Sequence, residues 1–225
     1  MITGSRARRA CAVVAAVLTF AIVGAACAPP PPPPPKASIG PDAAQPGFDA
    51  CAAPSPSTMA TWWAHSPFSA VGIYLGGANR ACAQPNLTPW WITNMRNQGW
   101  NFITTWVGPQ APCTTLGRTT KIPEDPFWAW ATGVNEGWAA ANAADALGFR
   151  WLDTIYFDME AYPRGGACSV AVQQFASGWA HGLHERGYLS GFYSSLCSGI
   201  LDLAAGLPDP NLKPQDSIWI AAWNG

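Results

Sequence analysis

A strict alternation of apolar and polar residues marks the segment from Thr154 to Tyr162, which has the sequence Thr-Ile-Tyr-Phe-Asp-Met-Glu-Ala-Tyr. Successive side chains of a β-strand point to opposite faces of a sheet, so the pattern predicts a strand with two different faces. One face carries Ile155, Phe157 and Met159, and the other carries Thr154, Tyr156, Asp158, Glu160 and Tyr162. We therefore predict a strand that is covered on one side and presents two carboxylates on the other.

Short β-like runs alternate with longer helix-like runs along the rest of the chain. The predicted strands are residues 47–51, 70–77, 101–108, 154–162, 188–195 and 217–223. The predicted helices are residues 57–64, 88–98, 126–147 and 169–186, with a short helical turn at 200–204. Ser57 is predicted to cap the first helix, while Thr88 as cap, Pro89 at the first helical position and Gly99 as terminator bound the second.

Six β-like runs separated by helical runs, without hairpin signals, are typical of parallel βα units. Such units build either an open doubly wound sheet or a βα barrel. No Gly-x-Gly-x-x-Gly motif opens a helix after a strand, which disfavours a nucleotide-binding open sheet, while acids at strand ends favour the barrel. We predict an α/β fold of the (βα)8 TIM-barrel type, with about six βα units present and the C-terminal part of the barrel missing from this sequence.

The first residues differ in composition from the rest. Arg6, Arg8 and Arg9 precede an uncharged run over residues 10–28, which is typical of an export signal; a retained membrane anchor is the alternative. The seven prolines that follow predict an extended polyproline spacer. We therefore predict a signal peptide or lipoprotein signal at residues 1–28, a proline-rich linker at 29–46 and one barrel domain at 47–225.

Cys27 ends the sequence Val-Gly-Ala-Ala-Cys, which resembles a bacterial lipoprotein cleavage site. Lipidation of Cys27 would anchor the protein to a membrane, and simple cleavage at the preceding alanines is the alternative. Either way the sequence predicts an exported protein, extracellular or attached to the cell envelope.

The balance of basic and acidic residues argues against a nucleic-acid partner. The chain has 12 basic and 13 acidic residues, and without Arg6, Arg8 and Arg9 the balance is 9 − 13 = −4. No basic run interleaves with aromatic residues, whereas nucleic-acid affinity depends largely on neutralising phosphates. We expect no nucleic acid among the partners.

Five cysteines follow the predicted linker: Cys51, Cys82, Cys113, Cys168 and Cys197. No Cys-x-x-Cys pair occurs among them, which argues against zinc, and an exported protein favours disulfides. Because five is odd, at least one cysteine stays free or pairs elsewhere. The connectivity cannot be read from the sequence.

Several motifs, each weak alone, together resemble one protein family. They are Gly47-Phe-Asp-Ala-Cys51, Val71-Gly-Ile-Tyr-Leu-Gly-Gly77, Gly108-Pro-Gln-Ala-Pro-Cys113, Ile155-Tyr-Phe-Asp-Met-Glu-Ala-Tyr162 and Ile218-Trp-Ile-Ala-Ala-Trp223. From Gly47 to its last residue the chain resembles a secreted, mainly actinobacterial family of glycoside-hydrolase-like domains, itself similar to the family 25 lysozymes. The resemblance implies a βα barrel and a cell-wall glycan as partner.

The lysozyme-like pattern implies an aspartate on the first strand and Asp-x-Glu on the fourth, and Asp49, Asp158 and Glu160 fill these positions. Residues two apart on a strand lie about 6 to 7 Å apart, within the range of about 5 to 9.5 Å for paired glycosidase carboxyl groups. Chemistry predicts Glu160 as the general acid, kept protonated by apolar surroundings and neighbouring acids. Asp158 is predicted to stay ionised, and Asp49 to position the substrate.

Aromatic residues at or near strand ends are predicted to stack on sugar rings. These substrate-binding candidates are Tyr74, Trp106, Tyr156, Tyr162, Tyr193 and Trp223. Most of the other tryptophans, among them Trp138, Trp151 and Trp179, are expected in the core.

We predict neither a cofactor nor a metal. His181 and His184 are three residues apart but lack a third ligand at a recognised spacing, and no Gly-x-Ser-x-Gly motif accompanies Ser194 and Ser195. Three functions remain: a hydrolase of peptidoglycan-type glycan, a non-catalytic envelope protein that binds glycan or a partner on the same barrel, and a purely structural barrel. A binding cleft and a catalytic cleft can share these residues, so the sequence does not separate the first two.

Overall fold

Six strands and five α-helices alternate along the part of the chain that the computed structural model describes, residues 46–117 and 119–222. In chain order the elements are β1 (Gly47–Phe48), α1 (Pro56–His65), β2 (Ala70–Gly76), α2 (Pro89–Gln98), β3 (Asn101–Trp106), α3 (Pro126–Leu147), β4 (Thr154–Met159), α4 (Gly166–Glu185), β5 (Leu189–Ser195), a π-helical turn (Leu196–Ile200), α5 (Leu201–Gly206) and β6 (Ser217–Ala221). The predicted alternation of strands and helices is confirmed. The predicted signal with Cys27, the proline spacer and Trp223 lie outside the described residues.

Three helices begin with the same local signal, a capping side chain followed directly by proline. Ser55, Thr88 and Asp125 each accept a hydrogen bond from the backbone N–H three residues further on, at 3.1 to 3.2 Å. Proline suits the next position because its fixed φ is helical and its missing N–H would have no partner there. The predicted Thr88 cap and the left-handed Gly99 (φ 101°) are confirmed, whereas Ser57 lies inside α1 and Ser55 caps it instead.

All six strands are parallel and pair in sequential order, β1-β2-β3-β4-β5-β6. Their carboxyl ends therefore meet at one edge. Residues belonging to or following β1 and β6, among them Asp49 and Trp219, line one cavity. Strands at opposite ends of the order can share a cavity only if the sheet curls, so the sheet forms a curled half-barrel.

The core lies between the outer face of the sheet and the helices. Buried outward side chains include Val71, Ile73 and Leu75 of β2 and Ile155, Phe157 and Met159 of β4. Burying side chains of this size stabilises the fold by roughly 1.5 to 3 kcal/mol each. Helices α3 and α4 pack closely because glycines face each other; a Cβ at Gly133 would collide with the backbone of α4.

Two disulfides brace the loops at the carboxyl edge of the sheet. Cys51, after β1, bonds to Cys82, after β2, and Cys113, after β3, bonds to Cys168 of α4. Cys197 is exposed and free. The prediction of disulfides with one cysteine left over is confirmed, and the disulfides indicate an oxidising, extracellular environment.

The three tryptophans predicted for the core differ in how deeply the structure buries them. Trp179 is fully buried, as predicted, but Trp151 is 77% exposed. The core prediction for Trp151 is wrong because the residue lies in the turn before β4, where its ring covers Gly187 from outside. Trp138 is partly buried and donates a hydrogen bond to Glu185. Within residues 46–117 and 119–222 no helix has the length and apolar character to cross a membrane.

Candidate functional site

Three carboxylates meet at the carboxyl edge of the sheet. Asp49 follows β1, Asp158 lies near the end of β4 and Glu160 comes just after β4. All three line the same cavity. The alternation of β4 explains this, because Phe157 and Met159 point back into the core while Asp158 points forward. The structure thus brings together the three acids named from the sequence.

Asp49 is held by a tyrosine on the neighbouring strand. The Tyr74 hydroxyl donates a 2.5 Å hydrogen bond to Asp49 Oδ2. Gly72, two residues earlier on β2, makes room for this pair, because a Cβ there would lie 2.6 Å from Asp49 Oδ1. Burial and the hydrogen bond to Asp49 raise the pKa of Tyr74. Tyr74 therefore remains a donor, and Asp49 is fixed as an acceptor.

Asp158 is the buried member of the group. It is 8% exposed, and its Oδ1 is buried without a hydrogen-bond partner among the described residues. Burial, then Glu160, then Asp49 raise the pKa of Asp158 from 3.8 to about 7. An acid in this position keeps its proton close to neutral pH.

The environments predicted for the two acids of β4 are reversed. Glu160 was expected in apolar surroundings, but it is exposed. The reason is that β4 ends at Met159, so Glu160 lies beyond the sheet while Asp158 is still inside it. The apolar surroundings expected for Glu160 are therefore wrong, and Asp158 is the acid of this pair whose pKa burial raises.

Gln110 fixes the backbone of both acids. It is 2% exposed; its Nε2 donates to the carbonyl of Asp158 at 2.8 Å and its Oε1 accepts from the N–H of Glu160 at 2.8 Å. In a parallel ladder the backbone N–H and C=O of one residue on the adjacent strand make this pair of bonds to residues two apart. Because β3 ends at Trp106, opposite Phe157, the amide of Gln110 continues the pairing. No periodic pattern in the sequence signals this role.

The cavity is an open trough with two arms. Its floor is Asp49, Tyr74, Asp158 and Glu160, which line both arms. The polar arm, of about 330 Å³, is named for Asn79, Arg80 and Thr119, and it is also lined by Val107, Leu116 and the Cys51–Cys82 disulfide. The aromatic arm, of about 240 Å³, adds Thr105, Tyr193 and Trp219. An extended ligand in the trough would pass over the carboxylates.

Trp219 was missed by sequence reasoning, which favoured Trp223. It pairs in register with Tyr193, with ring centroids 4.9 Å apart, and it meets Tyr156 at 5.9 Å, both edge to face. Burial and the three acids raise the pKa of Tyr193. The available signal was the alternation Ser217, Trp219, Ala221, which places the ring on the inner face.

Three predicted substrate-binding aromatics do not line the trough. Trp106 lies on the helix side of β3 and donates to Glu136 of α3 at 2.5 Å, because alternation turns Thr105 inward instead. Tyr162 lies past the end of β4, where the alternation no longer applies; it is buried and donates to Asp202 at 2.7 Å. Tyr156 is on the inner face but deeper, with its hydroxyl 2.7 Å from Ser217.

The two histidines of α4 each contact a carboxylate away from the trough. His181 lies 3.3 Å from Glu185, and His184 lies 2.6 Å from Asp216. Across the described ranges no group of three or more His, Cys, Asp or Glu is placed to hold a metal ion.

A curled parallel α/β sheet with acids at its carboxyl edge has its candidate site where βα-barrel enzymes of many activities place theirs. The model of the Rv2525c-like, glycoside hydrolase-like domain matches residues 60–224, and the chain belongs to this family. The matched segment contains Asp158 and Glu160 and begins after Asp49. This confirms the family resemblance, while the similarity to family 25 lysozymes stays a prediction.

One solved structure supports the fold. A 1.07 Å crystal structure of an uncharacterized B. stearothermophilus protein has a TM-score of 0.55 and 19% sequence identity, over 79% of this chain and 74% of that chain. At this identity the likeness shows the fold alone. No curated protein matches the chain.

Proposed function

We propose that the protein is a glycosidase that hydrolyses a cell-wall glycan of the peptidoglycan type, with Asp158 as acid and Glu160 as base. The observation that carries the proposal is the placement of Asp158, a buried carboxyl group in a trough that Asp49 and Glu160 also line, with an Oδ1 that has no hydrogen-bond partner among the described residues. Burial raises the pKa of this carboxyl group to about 7. A carboxyl group that keeps its proton near neutral pH can protonate the leaving oxygen of a glycosidic bond.

The buried position of Asp158 and the exposed position of Glu160 decide which acts as acid and which as base. Asp158 gives its proton to the glycosidic oxygen as the bond from that oxygen to the anomeric carbon breaks. Glu160, which faces the open trough, takes a proton from the water that attacks the anomeric carbon. One water is consumed, one proton has moved from Asp158 to Glu160, and exchange with solvent restores the starting state.

The trough suits a chain of sugars. The ring of Trp219, supported by Tyr156 and Tyr193, offers an apolar surface on which a sugar can stack. Asp49, fixed by Tyr74, can accept a hydrogen bond from a sugar hydroxyl. The disulfides and the predicted export signal favour a substrate outside the cytoplasm.

Turnover of soluble peptidoglycan fragments by the purified protein, followed as release of reducing ends, tests the proposal. We expect Asp158→Asn and Glu160→Gln each to lower kcat by about 10² to 10⁴-fold, the usual contribution of a general acid or base. Asp209→Asn is the matched control, because Asp209 is an exposed aspartate that does not line the trough.

Substrates with different leaving groups separate the roles of the two acids. A 4-nitrophenyl leaving group needs little protonation, so Asp158→Asn should lose much less activity on a 4-nitrophenyl chitooligosaccharide than on the natural glycan. Glu160→Gln should lose a similar factor on both. The reverse pattern would make Glu160 the acid.

A non-catalytic glycan-binding protein would give a different result. It would bind the same fragments saturably without turnover, and binding would survive Glu160→Gln. If the folded chain neither cleaved nor bound the fragments, both functions would be refuted and a purely structural barrel would remain.

A further inference from the structure

Arg80 is the one positively charged side chain among the described residues that line the trough. It lies in the loop after β2, on the polar arm. Its Nη1 donates to the carbonyl oxygens of Leu75 at 3.1 Å and Tyr74 at 3.5 Å. The ion pairs found within the described ranges involve Arg96, Arg164, His181 and His184, and Arg80 is in none of them.

The loop that carries Arg80 is held on both sides. Asn79 Nδ2 donates to the carbonyls of Gly108 and Thr120, and its Oδ1 accepts from the N–H of Thr120. On the other side, the disulfide of Cys82 ties the loop to the segment after β1. A side chain on such a fixed loop loses little freedom when it binds a ligand.

Arg80 is not the counter-ion of Asp158. A guanidinium acting as the counter-ion of Asp158 would lower the pKa of that carboxyl group, but its pKa is raised. The N–H groups on Nε and Nη2 of Arg80 donate to no described residue. A guanidinium with two such nitrogens matches the two oxygens of a carboxylate.

We infer that Arg80 forms a subsite for a carboxylate carried by the glycan, on the polar-arm side of the cleaved bond. The substrate class is thus a glycan in which a sugar with a free carboxylate substituent, such as a muramic acid without its stem peptide, occupies the polar arm, while the aromatic arm takes a neutral sugar on Trp219. The inference rests on the proposed function, because it names a substituent of the same substrate.

Two ligands that differ at the carboxyl group, charged in one and esterified in the other, test the subsite. They are a tetrasaccharide of alternating N-acetylglucosamine and N-acetylmuramic acid, as free acid and as methyl ester, titrated calorimetrically into the Asp158→Asn chain so that neither is consumed. We expect the acid to bind at least tenfold more tightly, as a hydrogen bond to a charged group implies. Adding Arg80→Gln should lower the affinity for the acid to that for the ester.

Two further variants sharpen the experiment. Arg80→Lys keeps the charge but loses the planar fork, so it should keep only part of the preference for the acid. Arg150→Gln is the matched control, because Arg150 is exposed and precedes the amino end of β4, away from the trough. It should keep the full preference.

The outcomes separate the inference from the proposed function. Binding of acid and ester with equal affinity, or a preference that survives Arg80→Gln, overturns the subsite and leaves the glycosidase proposal standing. No binding of either ligand, together with no turnover by the unmodified chain, overturns both. If Arg80→Gln does not fold, Arg80→Lys decides, because a full preference there contradicts the two-nitrogen contact.

Discussion

Two buried aspartates of this protein, Asp202 and Asp158, have opposite surroundings. Asp202 is 1% exposed, and its carboxylate accepts hydrogen bonds from Tyr162, Arg164 and Ser169, each at 2.7 Å. Asp158 is 8% exposed, yet its Oδ1 has no donor among the described residues and two other acids lie beside it. Burial alone therefore does not distinguish an acid that serves the fold from one that serves a site.

The difference lies in what compensates the charge. Asp202 is matched by an arginine and two hydroxyl groups, so it ties the loop after β4 to α5 and stabilises the fold. A buried polar group without a partner costs about 1 to 3 kcal/mol. A cost of this kind at a strand end that faces an open trough is typical of a residue kept for function at the expense of stability.

The largest expected effect is on how stability changes with pH. Folding raises the pKa of Asp158 from 3.8 to about 7, so the folded state binds the proton more tightly. The stabilisation of the folded state by this bound proton is fully present below pH 4 and is lost as pH rises to 7. The wild type loses this stabilisation between pH 3.5 and pH 8, and Asp158→Asn does not. The free energy of unfolding of Asp158→Asn minus that of the wild type should therefore be roughly 4 kcal/mol higher at pH 8 than at pH 3.5. Urea unfolding at both pH values measures it; an unchanged difference would contradict the account.

Asp202→Asn should have the opposite consequence. We expect a loss of about 3 kcal/mol in the free energy of unfolding, because Arg164 and two hydroxyl groups lose a charged acceptor. Arg164 is partly exposed, which keeps the loss below that of a fully buried pair. Asp209→Asn, at an exposed position, should stay within about 0.5 kcal/mol. If Asp202→Asn were as neutral as this control, the contrast between the two aspartates would not hold.

Gln110→Leu gives the smallest change in stability, about 1 to 2 kcal/mol, because it leaves backbone groups of Asp158 and Glu160 unpaired. Displacement of both acids should also lower kcat more than it raises KM on the glycan substrate. Gln98→Leu is the control, since Gln98 Oε1 is already buried without a hydrogen-bond partner in the part of the chain that the structure describes. Equal behaviour of the two variants in unfolding and kinetics would remove Gln110 as a positioning residue.

Alternation predicted the inner and outer faces wherever a strand was assigned correctly. In β4 it separated Ile155 and Phe157 from Asp158, as the structure has them. The error for Trp106 arose where nearness to a strand end replaced the alternation, and the error for Tyr162 arose where the alternation was continued past the end of β4 at Met159. Applied to β3, the same rule selects Thr105 for the trough instead of Trp106, and applied to β6 it adds Trp219.

Alternation could not predict which of the two acids of β4 is buried and which is exposed. Asp158 and Glu160 are two residues apart in one alternating pattern, yet one is buried and the other exposed, because β4 ends between them. The backbone at that end is bonded by Gln110, a residue 48 positions before Asp158 that contacts this segment only in the folded chain. Long-range contacts of this kind leave no local signal.

The pKa of Asp158 tests the central claim most directly. Titration of the carboxyl carbon of Asp158 by NMR, in the full chain labelled with ¹³C, reports the protonation of this group alone. The account predicts a midpoint near pH 7, because burial and the acids beside it disfavour the charged form. A midpoint at or below the ordinary value near 4 would contradict the claim that Asp158 holds the proton of the site.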